Sequence, residues 1–170
     1  MKVAFYHGLE SNHKNTKGDL TIEKFDGYAP GLNYRKSGIF EKELAKIKEI
    51  KPDLLSGSSI GGYFAYALST MTGIPTLLLN PAFHGRTFEP DVMFGKKRSK
   101  HIVIVGKKDK VVDQTISREW IKTNGIGSFK IHEENIGHRT PIDIYEKWLL
   151  EISSKNETIT FETFKEYRNK

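Results

Sequence analysis

Residues 53–65 read Asp53-Leu54-Leu55-Ser56-Gly57-Ser58-Ser59-Ile60-Gly61-Gly62-Tyr63-Phe64-Ala65, and they are the most informative segment of the sequence. An apolar pair opens a short strand, a Gly-x-Ser-x-Gly segment follows, and the apolar residues after it continue as a helix. In that setting Ser59 occupies a sharp turn that lifts its hydroxyl above a sheet. Gly57 and Gly61 keep Cβ atoms away where the strand and the helix pass closely. The stretch therefore predicts a buried strand, a strained turn and a helix.

The same glycine-rich turn has a second interpretation, as a phosphate-binding or merely tightly packed loop. Residues 57–62 lack both the Gly-x-Gly-x-x-Gly spacing of dinucleotide sites and the Lys-Ser/Thr ending of a P-loop. The helix that follows would also place its N-terminal N–H groups where negative charge develops on an acylating substrate. We therefore interpret Ser59 as a candidate nucleophile.

Length and composition predict one soluble domain over residues 1–170. The sequence is 37% hydrophobic and 11% aromatic, which is typical of a globular protein rather than a disordered one. Its opening apolar run is only a few residues long, so we expect neither a signal peptide nor a membrane span. The chain has no cysteine, which excludes disulfides and thiol catalysis and fits a cytoplasmic protein.

The formal charge of +6 raises the question of nucleic-acid binding. Lysines are spread along the chain, with clusters at Lys96-Lys97-Arg98 and Lys107-Lys108-Asp109-Lys110. The first cluster has no interleaved aromatic residues of the kind that stack on bases. We expect a solvated basic face with a weak attraction for anionic substrates, and no nucleic-acid partner.

Short apolar strands alternate with helices along the chain, which is typical of a largely parallel sheet covered on both faces. The predicted strands are 3–6, 25–29, a strand that begins at 54, 76–79, 101–105 and 129–133. The predicted helices run from 39 to the residues before Pro52, then over 60–71, 115–123 and 143–152, with a short charged helix at 161–167. Residues 9–20 are polar and are predicted to form a loop. We expect an α/β fold with about five to six strands and helices on both faces.

Chemically useful residues follow the predicted strands repeatedly. They are His7-Gly8, Ser59, Asn80-Pro81, Asp109 and His138. In a parallel sheet the carboxyl ends of the strands meet at one edge, and ligands bind beyond that edge. The sequence therefore predicts one site there.

Ser59 needs a base to accept its proton, and the base needs an acid to orient it. Asp109 and His138 follow Ser59 in the order serine, acid, histidine, which is the usual order in hydrolases whose nucleophile lies in a Gly-x-Ser-x-Gly turn. Asp113 lies in the same loop as Asp109 and is a second candidate for the acid. Asp109 is favoured, because the sequence around it is typical of the loop that carries the acid. His84 is the rival base, and its place before the acid disfavours it.

Backbone amides would complete the predicted site. An N–H just after the first strand and the N–H that follows the nucleophile form the usual oxyanion hole, which here indicates the amides of Leu9 and Ile60. The substrate-binding candidates, chosen by position alone, are Glu10, Tyr63 and His84.

The chain resembles the α/β-hydrolase superfamily, and within it the small YqiA-type esterases and related bacterial hydrolases. The matching blocks are 5–11, 57–65, 74–82, 105–109 and 137–138, and the Asn80-Pro81-Ala82 segment is more particular than the turn around Ser59. The resemblance implies a minimal fold that begins at the usual third strand and lacks a large cap. It implies Ser59 as nucleophile, His138 as general base and Asp109 as orienting acid. Relatives usually place a helix where residues 9–20 are polar here, and residues 84–100 could supply a small lid.

We expect a serine hydrolase that cleaves small acyl esters through an acyl-enzyme, with no metal and no organic cofactor. The alternatives are an acyl-CoA thioesterase or a small amidase or peptidase with the same triad, and a non-catalytic binding protein that keeps the fold. The expected partner is a small-molecule ester or thioester. The sequence leaves the natural substrate and the oligomeric state open.

Overall fold

A computed structural model of the chain describes residues 1–9, 11 and 16–154. Five strands and five helices occupy this part of the chain. In chain order they are β1 (Val3–Tyr6), α1 (Thr16–Lys24), α2 (Ile39–Ile50), β2 (Leu54–Ser58), α3 (Ile60–Thr72), β3 (Thr76–Leu79), β4 (Lys100–Gly106), α4 (Gln114–Asn124), β5 (Ser128–Glu134) and α5 (Ile142–Ser154). The helix predicted at 161–167 lies outside the described residues.

The five strands form one parallel sheet in which each strand pairs with the next one in the sequence. The register sets Tyr6 beside Gly57, Ser58 beside Leu79 and Leu79 beside Ile104. All the carboxyl ends of the strands therefore meet at one edge of the sheet. The predicted fold class, a mostly parallel sheet of about five strands, is confirmed.

Helices cover both faces of the sheet, because successive strand residues point to opposite sides. In β1, Ala4 and Tyr6 belong to a core that packs against α2, α3 and α4. Val3 and Phe5 belong to a second core that packs against α1 and α5. Both faces of the strands are thus buried, as their continuous apolar sequences predict.

Helix α3 connects the Ser59 turn to the rest of the sheet and is buried over residues 60–70. A helix buried on most sides must be apolar nearly all round, which its sequence satisfies. Gly73 ends it in the left-handed conformation, with a φ of 82°. No helix among the described residues is long and apolar enough to cross a membrane.

The prediction of a loop over 9–20 is wrong in its second half, where α1 begins at residue 16. Leu20 and the following Phe25 are buried in the core shared with α5. The Thr21 hydroxyl lies 2.9 Å from the Tyr145 hydroxyl of α5. Packing of one apolar side against β1 and α5 outweighs the polar composition that suggested a loop.

The strand predicted at 25–29 is also wrong, since only an isolated bridge between Tyr28 and Ala4 remains of it. The Phe5 amide donates to the Tyr28 carbonyl, and the Tyr28 amide donates to the Val3 carbonyl. Asp26 has a φ of 43°, which breaks the extended conformation on one side. Proline at position 30 has no N–H to continue a ladder on the other side.

The connection between β3 and β4 carries no helix or strand over residues 80–99. Its last part is anchored on α3, because Thr70 accepts a hydrogen bond from the Lys97 amide and also from the Gly95 amide. A Cβ at Gly95 would lie 2.3 Å from the Thr70 carbonyl oxygen, so the chain passes closer to α3 than another residue allows. The earlier part, residues 82–88, lies at the carboxyl edge of the sheet, where it faces the site.

Candidate active site

Ser59 sits between β2 and α3 with a φ of 55° and a ψ of −120°. This conformation is unfavourable for a residue with a side chain and persists only where the surroundings enforce it. The Ser59 amide donates to the Leu79 carbonyl, 3.0 Å away. Its own carbonyl accepts hydrogen bonds from the amides of Gly62, Tyr63 and Ala82 at 3.0 to 3.2 Å. The turn is thus held by α3 on one side and by the chain after β3 on the other.

Two glycines allow the backbones around Ser59 to approach. A Cβ at Gly57 would lie 2.2 Å from the Gly61 carbonyl oxygen. A Cβ at Gly61 would lie 2.2 Å from the carbonyl oxygen of Tyr6 and 2.3 Å from that of His7. Any side chain at either position would therefore separate α3 from β2 or β1, which explains the spacing of the Gly-x-Ser-x-Gly segment.

The side chains of Ser59, His138 and Asp109 lie in a line. His138 Nε2 is 3.1 Å from Ser59 Oγ, and His138 Nδ1 is 2.8 Å from Asp109 Oδ2. When Nδ1–H donates to the carboxylate, the lone pair of Nε2 faces the serine hydroxyl. The Asp109 side chain is 1% exposed and that of His138 is 23% exposed, so the acid is shielded and the base remains accessible.

The loop of Asp109 fixes the orientation of its carboxylate. Oδ1 accepts hydrogen bonds from the Val111 and Val112 amides at 2.7 and 3.0 Å, which leaves Oδ2 for His138. The Asp109 amide donates to the Gly106 carbonyl at the end of β4. This carboxylate is therefore held in one orientation by its own loop.

Asp113, the competing acid, has a different position. It is the N-cap of α4, where Oδ1 accepts hydrogen bonds from the Thr115 and Ile116 amides at 2.7 and 3.2 Å. A carboxylate at this place satisfies helix N–H groups and interacts favourably with the helix dipole. The structure brings Asp109, and not Asp113, to the ring of His138.

His7 controls the peptide that follows β1. The Leu32 amide donates to His7 Nε2 at 2.9 Å, so the ring is neutral and its proton resides on Nδ1. Nδ1–H donates to the Gly8 carbonyl at 2.7 Å, and the Ser11 amide donates to the same oxygen. In a trans peptide the N–H points away from the carbonyl, so the Leu9 amide points away from the His7 ring.

The carbonyl of His7 is held by a phenol. The Tyr34 hydroxyl donates to it at 2.6 Å from a fully buried position. Burial, and secondarily the nearby Glu43 carboxylate, raises the pKa of Tyr34 well above its ordinary value, so the phenol keeps its proton and remains a donor.

Gly8 and Ile60 flank Ser59. A Cβ at Gly8 would lie 3.7 Å from Ser59 Cβ, and Ile60 is the first residue of α3. Leu9 and Ile60 both line the cavity above Ser59. The role of the Leu9 and Ile60 amides as oxyanion donors stays a prediction.

A cavity of about 540 Å³ opens over Ser59 and His138 at the carboxyl edge of the sheet. Its apolar lining residues are Phe5, Leu9, Ile60, Ala82, Phe88, Val111 and Val112, and its cationic ones are Lys17, Arg86 and Arg139. No aspartate or glutamate is among the described lining residues. Burial lowers the pKa of Lys17 below its ordinary value. The cavity therefore combines apolar walls with positive charge.

The three substrate-binding candidates have different outcomes. Glu10 lies outside the described residues. His84 lines the cavity, and its Nε2–H donates to the Asp113 carbonyl at 2.7 Å. That nitrogen is therefore engaged away from Ser59.

Tyr63, the third candidate, is not among the residues that line the cavity. It is buried under the ring of Phe94 and the guanidinium of Arg86, and its hydroxyl donates to Glu89 at 2.8 Å. Burial, together with that hydrogen bond, raises its pKa. The helix that begins at Ile60 turns this side chain toward the anchored β3–β4 connection.

Two useful residues were visible in the sequence only by position. His7 and Asn80 both follow strands. No spacing rule indicated that the His7 ring holds the backbone near Ser59, or that the Asn80 carboxamide holds the backbone at His138. Phe88 and Lys17 line the cavity and had no signal in the sequence. No group of three or more histidine, aspartate or glutamate side chains that could hold a metal ion occurs within 1–9, 11 and 16–154.

The sequence profile of the uncharacterised protein family UPF0227 matches residues 2–93, which is more than half of the 170-residue chain. The chain belongs to this family. The matched part of this UPF0227 protein includes β1, the Ser59 turn and β3, whereas Asp109 and His138 lie after it. No curated protein matches the sequence.

Several solved structures are similar to this UPF0227 protein in fold. The type II thioesterase BorB from the borrelidin biosynthetic cluster superposes with a TM-score of 0.69 at 14% identity, over 92% of this chain and 91% of the thioesterase. MGS-MChE2, an α/β-hydrolase enzyme from the metagenome of lagoon sediments at Mar Chica, gives 0.65 at 16% identity, over 92% of each chain. The Paleococcus ferrophilus monoacylglycerol lipase gives 0.63 at 12% identity, over 89% of this chain and 93% of the lipase. The fold is that of the α/β-hydrolases, and the resemblance to small YqiA-type members is confirmed.

Proposed function

We propose that this protein is a serine hydrolase of the carboxylesterase class, which cleaves small acyl esters through an acyl-enzyme. The observation that carries the proposal is the line of Ser59 Oγ, the His138 ring and Asp109 Oδ2, with separations of 3.1 and 2.8 Å. A serine in this arrangement can lose its proton to the histidine as it attacks a carbonyl carbon.

In the proposed acylation step Ser59 Oγ forms a bond to the ester carbonyl carbon while His138 Nε2 accepts its proton. Asp109 stabilises the imidazolium that results and holds the ring in the required tautomer. The amides of Leu9 and Ile60 donate to the oxyanion of the tetrahedral intermediate. The intermediate collapses when the alcohol leaves with the proton from His138.

In the proposed deacylation step His138 takes a proton from a water molecule, whose oxygen attacks the acyl carbon. The tetrahedral intermediate then releases Ser59, which regains its proton from His138, and the carboxylic acid departs. The scheme uses only side chains and backbone amides of this chain, together with water.

The cavity supports a small acyl group as substrate. Its volume of about 540 Å³ lies within the range of small-molecule sites, and Phe88 and Val112 supply apolar walls near Ser59. The Phe88 ring lies 4.2 Å beneath the guanidinium of Arg35, so the chain after α1 and the β3–β4 connection meet at this wall. We propose residues 84–88 as the small lid of the site.

The decisive experiment is a reaction with a fluorophosphonate probe, followed by mass spectrometry to locate the adduct. We expect one adduct on Ser59, absent in Ser59→Ala and strongly reduced in His138→Ala. The exposed Ser128, at the start of β5, provides a matched control, since Ser128→Ala should label like the wild type. Absence of labelling in a folded wild type would leave a binding protein with this fold as the better explanation.

A substrate panel then separates the classes of acyl transfer. We expect turnover of p-nitrophenyl acetate and butyrate that Ser59→Ala lowers at least about 10⁴-fold. An acyl-CoA thioester and a p-nitroanilide, measured beside the esters, test the thioesterase and amidase alternatives. Full ester turnover in Ser59→Ala would refute the proposed mechanism.

A further inference from the structure

We infer that Asn80 is a positioning residue that locks the loop of His138 onto the loop of Asp109 and thereby sets the base against Ser59. The kinetic effect that we expect rests on the proposed function, whereas the geometry of Asn80 does not depend on it. Asn80 follows β3 directly, is 2% exposed and does not line the cavity. It therefore acts through His138 and not on a substrate.

The carboxamide of Asn80 makes three hydrogen bonds with its neighbours. Oδ1 accepts from the Gly106 amide at 2.7 Å, at the start of the loop that contains Asp109. Nδ2 donates to the Gly137 carbonyl at 3.1 Å and to the His138 carbonyl at 2.9 Å. The amide orientation follows from the chemistry, because only the NH₂ group can serve two carbonyl oxygens. One side chain thus joins the two loops that bear the acid and the base.

Backbone contacts bring the same two loops together just before His138. The Lys107 amide donates to the Glu134 carbonyl, and the Lys108 amide donates to the Ile136 carbonyl at 2.9 Å. A Cβ at Gly106 would lie 2.5 Å from the Ile136 carbonyl oxygen, so the loops touch there. The backbone hydrogen bonds between the loops run up to residue 136, and the carboxamide of Asn80 adds hydrogen bonds at 137 and 138.

The backbone of Asn80 explains why asparagine suits this position. Its φ of 42° lies in the left-handed region, which asparagine tolerates better than most residues with a side chain. Its amide also donates to the Ile104 carbonyl of β4 at 2.8 Å. Aspartate would keep an acceptor for Gly106 but would set a carboxylate oxygen against two carbonyl oxygens. Glycine would keep the backbone conformation and remove all three side-chain bonds.

The His138 ring must meet Ser59 and Asp109 at the same time, so a small displacement of its backbone weakens both contacts. A misplacement of about 1 Å in a catalytic group can lower a rate about 100-fold. We expect Asn80→Gly and Asn80→Asp to lower kcat for p-nitrophenyl butyrate about 100-fold, with KM unchanged because the cavity walls are intact. If the substitutions instead unfolded part of the protein, titration with the fluorophosphonate probe would show a smaller fraction of active molecules.

The test compares these variants with Ser69→Ala as a matched control. Ser69 is buried in α3 near its C-terminal end and donates a hydrogen bond to the Ile74 carbonyl, at the opposite edge of the sheet. Ser69→Ala should lower stability in urea without lowering kcat. The Asn80 substitutions should lower kcat in the wild type but cause no further loss in a His138→Ala background. An equal loss in both backgrounds would overturn the inference.

A spectroscopic measurement separates this inference from the proposed function. The hydrogen-bonded Nδ1 proton between His138 and Asp109 gives a far-downfield proton resonance, which should be lost or exchange faster in Asn80→Gly and Asn80→Asp but not in Ser69→Ala. If the wild type fails to hydrolyse esters and this resonance still depends on Asn80, the proposed function fails and the positioning role stands. An unchanged resonance together with an unchanged kcat would overturn the positioning role alone.

Discussion

The residues around the candidate site are held mostly by hydrogen bonds to backbone groups. Asp109 receives two backbone N–H groups on one oxygen and presents the other to His138. The Asp113 carboxylate receives two backbone N–H groups as a helix cap, whereas the hydrogen bond to the His138 ring goes to Asp109. The two aspartates of this loop thus have different roles: Asp109 orients the proposed base, and Asp113 stabilises α4.

Substitution of each aspartate by asparagine should distinguish these two roles. We expect Asp109→Asn to lower kcat about 10⁴-fold, because an amide in place of the carboxylate favours the wrong tautomer of His138. Asp113→Asn should keep both kcat and stability, since asparagine caps a helix about as well as aspartate. Steady-state hydrolysis of p-nitrophenyl butyrate and urea unfolding of both variants provide the measurement. A large loss of kcat in Asp113→Asn with retention in Asp109→Asn would reverse the assignment.

For individual residues, the sequence predicted the location of those side chains that directly follow a strand of the sheet. Ser59, Asp109 and His138 each follow a parallel strand, and the sheet brings them within hydrogen-bonding distance. Tyr63 could not be placed in this way, because the direction of a side chain on a buried helix depends on how that helix packs. The contacts of His7 and Asn80 with distant backbone groups also depend on tertiary structure, which no local pattern encodes.

At the scale of secondary-structure elements, the packing of α3 over β1 limits what residue can stand at 61. A Cβ there would lie within 2.3 Å of two backbone oxygens that cannot move without disturbing β1. We expect Gly61→Ala to lower the free energy of unfolding by about 3 kcal/mol, a cost typical of a crowded core. Chemical denaturation monitored by circular dichroism would measure it.

The adjacent glycine is the matched control for this prediction. A Cβ at Gly62 would lie 3.0 Å from Pro81 Cβ and 3.2 Å from the Gly57 carbonyl oxygen, so it is much less crowded than a Cβ at Gly61. The gain of about 1 kcal/mol in helix propensity from glycine to alanine offsets part of this contact. Gly62→Ala should therefore be much less destabilising than Gly61→Ala, and equal losses would contradict the close approach of α3 and β1.

The elements predicted wrongly share a physical cause. Helix α1 is polar on most of its surface, and Gly18, Leu20 and Thr21 are the buried residues among those of α1 whose burial is described. The segment at 25–29 has the apolar residues of a strand but a left-handed residue and a proline limit it to one bridge. Both outcomes were decided by tertiary contacts and backbone conformation, whereas long apolar elements such as α3 and β4 were predictable from their sequence alone.

At the scale of the whole molecule, folding buries a histidine in a neutral form. His101 is fully buried in β4, where its Nε2–H donates to the Ile126 carbonyl and its Nδ1 accepts from the Thr76 hydroxyl. Burial lowers the pKa of His101 to about 4, whereas the unfolded chain retains an ordinary value of about 6.5. Between these values the unfolded state binds more protons than the folded state.

The stability of the protein should therefore fall as the pH falls from about 6.5 toward 4. The contribution of His101 is fully present above pH 6.5 or so and decreases by at most on the order of 3 kcal/mol over this interval. Urea unfolding at a series of pH values should give a steeper dependence for the wild type than for His101→Gln, whose side chain does not titrate. Parallel pH dependences of the two proteins would show that His101 is not the responsible group.

The order of the strands has a consequence for biosynthesis. Because each strand pairs with the next one in the sequence, the sheet can grow in the order in which the chain leaves the ribosome. The turn with Ser59 is synthesised early, and the loop with His138 follows the last strand. A nascent chain therefore holds its serine through the synthesis of β3, β4 and β5 before the proposed base, His138, is made, so the three side chains can come together only after the final strand.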